Sequence, residues 1–214
     1  MSDTPSRRPL KVRDATWSKN IASYLSRQNI TPNQISIMSI VFSLLAALCI
    51  IVPDKSTADV WPYSLLAALL IQMRLLCNLF DGMVAMEGGK STKSGELYND
   101  IPDRVSDSIL FIALGYAISS IELGYLAALF AMMTAYVRVL GASMNAGSVF
   151  KGPMAKQHRM ALMTIGLILT PLETLFFEQS YLLYGVLVII VSGSVLTVLN
   201  RIYSIYSALE TKVE

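Results

Sequence analysis

The chain has 214 residues, of which 54% are hydrophobic and only 15% are charged. Soluble globular domains carry about a quarter charged residues, so this composition excludes an ordinary soluble domain and predicts an integral membrane protein. The net charge of +2 is too small to indicate nucleic acid as a partner. Cys49 and Cys77 both lie in apolar runs, which indicates buried thiols and neither a disulfide framework nor a zinc cluster.

The N-terminal residues 1–34 predict a cytoplasmic segment that carries a short amphipathic helix. Within Ala15–Gln28, apolar side chains recur at helical spacing opposite polar and basic ones, a pattern typical of helices that lie in the membrane interface. Thr31 then has the type of side chain that caps a helix, and Pro32 suits the first helical position. The apolar positions of the interfacial helix are Trp17, Ile21, Tyr24 and Leu25.

Six apolar stretches follow, each close to the roughly 20 residues that a membrane-spanning helix needs. We therefore predict an all-α polytopic membrane protein, with a six-helix transmembrane domain at 35–206 and a cytoplasmic tail at 207–214. The predicted spans are Ile35–Val52, Trp61–Phe80, Val105–Ile121, Tyr125–Met144, Met160–Leu175 and Tyr181–Ile202.

Lysine and arginine residues predict the orientation of these spans. They concentrate in residues 1–34, in the loops after the second and fourth spans, and in the tail, whereas the opposite loops hold mainly acidic residues. Because basic loops stay on the cytoplasmic side, both termini and both of these loops are expected to be cytoplasmic.

Polar residues at the end of the second span and before the third predict a metal site. Residues three or four apart share a helical face, so two faces carry amide and carboxylate oxygens toward one point. Oxygen ligands of this kind suit Mg²⁺, Mn²⁺ or Ca²⁺. The first face comprises Asn78, Asp81, Gly82 and Ala85, and the second comprises Gly95, Asn99 and Asp103.

The spacing of these residues, N-x2-D-G-x2-A-M-x8-G-x3-N-x3-D from Asn78 to Asp103, resembles the motif of the CDP-alcohol phosphotransferases. The resemblance implies that Mg²⁺ or Mn²⁺ binds the diphosphate of a CDP-linked donor while an acceptor hydroxyl attacks and CMP leaves. It makes Asp81 a metal ligand and Asp103 both a ligand and the general base. Nucleotide contacts are then expected from Asn78, Asp81, Gly82, Ala85 and Gly95.

The same resemblance predicts the partners. CDP-diacylglycerol is the expected donor, a small alcohol is the expected acceptor, and the product is a phospholipid of the membrane. Small size and short loops resemble bacterial members of the family, which implies a bacterial cytoplasmic membrane and a homodimer.

Three positions depart from the family motif. Asn78 and Asn99 stand at its first and third acidic positions, and Met86 stands where the family has arginine. Asparagine can offer a carbonyl oxygen as a metal ligand but brings no charge, so the formal charge favours one ion, or a second ion bound only together with substrate. A different reading also stays open: a catalytically weakened relative that binds a CDP-lipid or nucleotide as a sensor or assembly partner.

Further acidic residues could restore the missing charge. Glu96, Asp100, Asp103 and Asp107 form a second acidic face of the same helix, and Asp100 or Glu96 could act as an additional metal ligand or be solvated loop residues. Asp107 lies a turn deeper, where a structural or site-lining role is expected.

Four basic residues have two interpretations each. Arg74 lies inside the second span and is either functional or paired with a carboxylate such as Asp107. Arg138, Lys156 and Arg159 either bind an acceptor phosphate or lipid headgroup, or anchor the protein on the basic side of the membrane.

Overall fold

The computed structural model describes residues 11–52, 57–87, 95–176 and 181–210, and apart from short connections this part of the chain is helical. Within these ranges a single 3₁₀ turn, Lys11–Asp14, precedes seven α-helices. The helices are α1 Thr16–Arg27, α2 Pro32–Ile51, α3 Thr57–Glu87, α4 Gly95–Ala117, α5 Ile121–Ser143, α6 Lys156–Glu173 and α7 Tyr181–Glu210.

The start of α2 confirms the predicted cap. Thr31 Oγ1 accepts a hydrogen bond from the Gln34 backbone N–H at 3.3 Å, and the Thr31 N–H donates to Gln34 Oε1 at 2.9 Å. This reciprocal pair satisfies two backbone donors that a helix start otherwise leaves open. Pro32 occupies the first helical position, as expected.

Four helical segments of the described residues are long and apolar enough to cross a membrane. The helices α4 and α6 differ because their first turns are polar: α4 carries Asp100, Asp103 and Asp107, and α6 begins with Lys156 and Arg159 three residues later. The predicted count of six spans therefore stays a prediction. The four apolar segments are Pro32–Ile51, Val60–Met86, Ile121–Ser143 and Tyr181–Glu210.

Two helix boundaries lie beyond the predicted spans. The second span was expected to end at Phe80, but α3 continues to Glu87 and keeps Asp81 in a regular helix. The third span was expected from Val105, but α4 already begins at Gly95 and runs through Pro102. These extensions make both polar faces of the candidate site helical.

Helix α4 packs mainly between α2 and α5, while α2 also packs on α3, α3 on α6, and α7 on α5 and α6. Small side chains fill the core of these contacts, including Ala46, Ala67, Ala113 and Ala127, and small residues let membrane helices approach closely. Helices α4 and α5 approach each other closely at Gly115, where an added Cβ would lie 2.7 Å from the Gly124 Cα.

Helix α1 packs on α3 through its small residues, with Ala22 fully buried. Trp17 stands edge-on to Phe80 at a ring-centroid distance of 6.3 Å. Trp17, Ile21 and Tyr24 are nevertheless exposed. The helix is thus present where the sequence predicted one, and its location in the membrane interface stays a prediction.

Candidate metal and nucleotide site

The two polar faces predicted from the sequence meet between the end of α3 and the first turns of α4. Asn78 Nδ2 of α3 donates a hydrogen bond to Asp103 Oδ1 of α4 at 2.5 Å. Asp81 and Asp103 are both buried, with 3% and 7% of their surface exposed. A buried carboxylate must be compensated by cations or hydrogen-bond donors, so the neighbours of each carboxylate determine what the site can bind.

Asp81 has a single side-chain hydrogen-bond partner for its two oxygens among the described residues. Ser36 of α2 donates to Asp81 Oδ2 at 2.7 Å, whereas Oδ1 is buried without a hydrogen-bond partner among the described residues. An unsatisfied buried carboxylate oxygen is costly, and a bound cation would remove that cost. Ser36 was missed in the sequence, although the spacing of Ser36, Ser39 and Ser43 in an otherwise apolar helix marks one buried polar face.

Asp103, in contrast, is surrounded by donors. Lys156 Nζ contacts its Oδ2, and Arg74 Nη2 lies 3.4 Å from Oδ1, the oxygen that also accepts from Asn78. Arg74 Nη2 donates in addition to the Asp103 backbone carbonyl at 3.2 Å. Both oxygens of this carboxylate are therefore engaged by positively charged or amide groups.

One turn deeper, Asp107 joins two arginines. Its Oδ1 lies 2.5 Å from Arg74 Nη2, and its Oδ2 lies 3.5 Å from Arg159 Nη2. Arg74 is fully buried, and its pairing with Asp107 is the structural alternative that the sequence left open. The same guanidinium also reaches Asp103, so Arg74 holds two consecutive turns of α4 against α3.

The loop before α6 fixes the position of Lys156. The Met154 backbone N–H donates to Thr197 Oγ1 at 2.9 Å, and Arg159 Nη1 donates to the Met154 carbonyl at 3.1 Å. Arg201 of α7 donates to the Lys151 carbonyl at 3.1 Å. Thr197 and Arg201 lie in a helix whose apolar pattern gave no indication of this role.

The other predicted residues lie around this cluster. Arg104 and Arg138 approach Asp100 Oδ2 at 3.5 and 3.3 Å, and Asp100 lines an apolar groove of about 1160 Å³ between α2, α4 and α5. Arg138 also stands over the ring of Phe150, with Cζ 5.8 Å from its centroid. The roles of Asp100 as a ligand and of Arg138 at a phosphate stay predictions.

The remaining positions of the motif are partly accessible. Gly82, Ala85, Gly95 and Asn99 are half-buried, and Met86 is exposed. The side chain of Glu96 lies outside the described residues. Small residues at the first three positions leave the helix backbone open to a flat ligand.

The oxygen atoms that could ligate a metal beside Asp81 fit one divalent ion. Among the described residues no group of three histidine, cysteine, aspartate or glutamate side chains could hold a metal, so amide oxygens, water or substrate must complete any coordination shell. Mg²⁺ commonly binds in this way, through one or two carboxylates together with waters and substrate phosphates. The partnerless Asp81 Oδ1 supplies such a carboxylate oxygen.

Comparison with known proteins gives consistent matches over most of the chain. The family model described as CDP-alcohol phosphatidyltransferase matches residues 29–204. The inner membrane protein YnbA of Escherichia coli K12 is 23% identical over 183 residues, covering 85% of this chain and 87% of YnbA. An uncharacterized protein of Aquifex aeolicus is 26% identical over 198 residues, covering 90% of both chains.

Solved structures show the same fold. The phosphatidylinositol phosphate synthase PgsA1 of Mycobacterium tuberculosis with CDP-DAG bound superposes with a TM-score of 0.74 at 18% identity, covering 90% of this chain and 94% of that chain. The same enzyme in complex with manganese and citrate gives a TM-score of 0.72 at 18% identity, with 88% of each chain covered.

Proposed function

The chain belongs to the CDP-alcohol phosphatidyltransferase family, and from this premise we propose that it transfers a phosphatidyl group from CDP-diacylglycerol to an alcohol, with release of CMP. The observation that carries the proposal is the hydrogen bond from Asn78 to Asp103, which joins the two halves of the motif. Asp81 and Asp103 are buried beside it, as a water-poor phosphoryl-transfer site requires.

Asp81 is the proposed metal ligand. A Mg²⁺ or Mn²⁺ ion at its Oδ1 would neutralise the diphosphate of the donor, the main requirement of phosphoryl transfer. Asn78 and Asn99 are the proposed amide ligands, and Asp100 is a further candidate. Ser36 holds the other Asp81 oxygen and so fixes the direction in which Oδ1 points.

Asp103 is the proposed general base, which accepts the proton of the acceptor hydroxyl. Lys156, Arg74 and Asn78 hold its carboxylate in place. Among the described residues only Lys156 contacts Oδ2, so the second lone pair of this oxygen is left for the proton of the hydroxyl.

The donor nucleotide is proposed to lie over Gly82, Ala85 and Gly95, whose small side chains allow close approach to the helices. For the acceptor, the structure favours Arg138 and Lys156, because their side chains are 30% and 25% exposed. Arg159 is buried and bonded to Asp107, Thr134 and Met154, which supports a structural role more than phosphate binding.

The chain is an integral membrane protein, and we propose six crossings, α2 to α7, with the site and both termini on the cytoplasmic side of a bacterial membrane. The packing of α4 between α2 and α5, and of α6 against α3 and α7, supports this count, since polar turns are tolerated where protein covers them. The exposed face of α1 with Trp17 and Tyr24 supports an interfacial position. The groove between α2, α4 and α5 offers contact area for the proposed homodimer.

A second function is favoured by one observation. Both Asp103 oxygens are engaged by donors, and Asn78, Asn99 and Met86 replace charged residues of the family motif. A protein that binds a CDP-lipid without turning it over, as a sensor or assembly partner, would tolerate these features.

CMP release separates the two functions. Purified protein in mixed micelles is given CDP-diacylglycerol, Mg²⁺ or Mn²⁺, and in turn glycerol 3-phosphate, inositol, inositol phosphate, serine or glycerol. Metal-dependent CMP release with one acceptor is expected. Asp103→Asn should abolish it, whereas Glu122→Gln, which changes an exposed acid in the first turn of α5, should not. Metal-dependent donor binding without CMP release in any mixture would favour the sensor.

A further inference from the structure

We propose that the Lys156 ammonium occupies the place of a metal ion beside Asp103, so that this chain binds a single divalent ion, at Asp81. The inference rests on the proposed function for the identity of the site, and it adds a residue that sets the number of ions. The Asp81 and Asp103 carboxylates have different surroundings, and this difference supports the proposal.

Among the described residues, the groups that hydrogen-bond or form salt bridges with the Asp103 carboxylate are all donors. Lys156 Nζ contacts Oδ2, Asn78 Nδ2 donates to Oδ1 at 2.5 Å, and Arg74 Nη2 approaches Oδ1 at 3.4 Å. A divalent ion bound to either oxygen would meet an ammonium, a guanidinium or an amide NH₂ group, none of which can ligate a metal through its hydrogens. Repulsion between such cations in a poorly hydrated site is strong.

Asp81 has the opposite surroundings. Ser36 is its one side-chain hydrogen-bond partner among the described residues, and Oδ1 is buried without one. The described salt bridges place cations on Asp100, Asp103 and Asp107, but none on Asp81. Asp81 is thus the carboxylate of the cluster that forms no salt bridge with the described residues.

The formal charges agree with one ion. Three carboxylates, Asp81, Asp103 and Asp107, are matched by three cations, Arg74, Lys156 and Arg159. Adding one divalent ion together with the doubly negative diphosphate of a CDP-linked lipid keeps this balance. A second ion would leave an uncompensated double charge in a site where charges are poorly screened.

The position of Lys156 is built into the fold. It is the first residue of α6, and Arg159, three residues later, is held by Asp107 and by the Met154 carbonyl. The preceding loop is fixed by the bond from the Met154 N–H to Thr197. The ammonium is therefore directed at Asp103 by contacts on both sides of it.

Mn²⁺ binding by the protein saturated with CDP-diacylglycerol in mixed micelles tests the proposal, and micelles without protein give the background. Bound and free Mn²⁺ are measured by electron paramagnetic resonance in detergent for the wild type and three variants. Lys156→Gln removes the proposed cation, Lys156→Arg keeps a charge there, and Lys151→Gln removes an exposed charge from the same loop as the matched control. Monodispersity and helix content are checked for each variant.

We expect one Mn²⁺ per chain in the wild type, in Lys156→Arg and in Lys151→Gln. Lys156→Gln should take up a second ion, with its affinity raised at least about tenfold. Two tight ions in the wild type, or no bound ion, would overturn the proposal, as would Lys156→Gln with unchanged stoichiometry and affinity. Lys156→Met removes the same charge and gives the same comparison if Lys156→Gln does not fold.

The ligand assignment gives an independent measurement. Asp81→Asn should abolish Mn²⁺ binding, whereas Asp103→Asn should retain one ion; loss of the ion in both variants would show a shared site and contradict the proposal. A failure of the single-ion proposal can be told apart from a failure of the proposed function. CMP release by a protein that binds two ions removes only the single-ion inference, and one bound ion without CMP release removes only the proposed activity.

Discussion

Replacing Arg74 by methionine removes the cation that links α3 to two turns of α4. The guanidinium is fully buried and lies 2.5 Å from Asp107, 3.4 Å from the Asp103 carboxylate and 3.2 Å from the Asp103 carbonyl. Methionine retains most of the side-chain length, so the substitution changes mainly charge and hydrogen bonding. The expected effect is destabilisation, because two buried carboxylates lose a partner while their burial persists.

The size of the expected destabilisation depends on the cations that Asp103 and Asp107 keep. Breaking a buried ion pair by removing one partner costs about 3–5 kcal/mol. Asp107 retains Arg159 at 3.5 Å, and Asp103 retains Lys156, so we expect the lower end of that range, about 3 kcal/mol. The double variant Arg74→Met/Asp107→Asn should lose less than the sum of the two single variants, because each single change leaves a charge unpaired.

The free energy of unfolding in detergent, from denaturant titration followed by circular dichroism, measures this effect. Arg104→Met is the matched control, since Arg104 lies 3.5 Å from Asp100 and both side chains are partly exposed; exposed pairs contribute only about 0–1 kcal/mol. A loss below about 1 kcal/mol for Arg74→Met, equal to that of the control, would refute the reasoning that a buried charge network joins α3 to α4.

The remaining predictions concern the site and its supporting loop. Asn78→Asp combined with Asn99→Asp adds two negative charges, so titration calorimetry should show tighter binding of a second Mn²⁺; an unchanged isotherm would contradict the charge argument. Asp103→Asn should abolish CMP release while donor binding is retained, whereas Asp81→Asn should weaken metal binding itself; full turnover by the Asp103 variant would exclude it as the base. Thr197→Val leaves a buried backbone N–H of the loop before α6 without its acceptor and should cost about 1–3 kcal/mol of stability, whereas a denaturation midpoint equal to that of the wild type would show that the bond is dispensable.

The sequence predicted the helical fold class, the capped start of α2 and the meeting of Asn78 with Asp103. Those features depend on local spacing: helical periodicity places residues three or four apart on one face. The predicted boundaries of the spans were less accurate. They were placed at the ends of the apolar runs, but a helix continues beyond such a run as long as its backbone hydrogen bonds continue. Hence α3 extends to Glu87 and α4 begins at Gly95.

The partners of the carboxylates could not be predicted. Ser36 is 45 residues from Asp81, and Lys156 is 53 residues from Asp103; spacing within one helix does not reveal which other helix packs against a given face. The intramembrane position of Arg74 did indicate a buried partner, and Asp107 was among the alternatives. Its additional contact with Asp103 emerged only from the packing of α3 on α4.

The central claim is that the chain converts a CDP-linked lipid into a phospholipid at the carboxylates of α3 and α4. Its most direct test follows both products in one reaction, CMP by chromatography and the new lipid by mass spectrometry, with and without chelator. Equal amounts of CMP and of a lipid containing the acceptor, formed only with divalent metal and lost in Asp103→Asn, are expected. CMP formed without a new lipid, or equal turnover by Asp103→Asn, would contradict the claim.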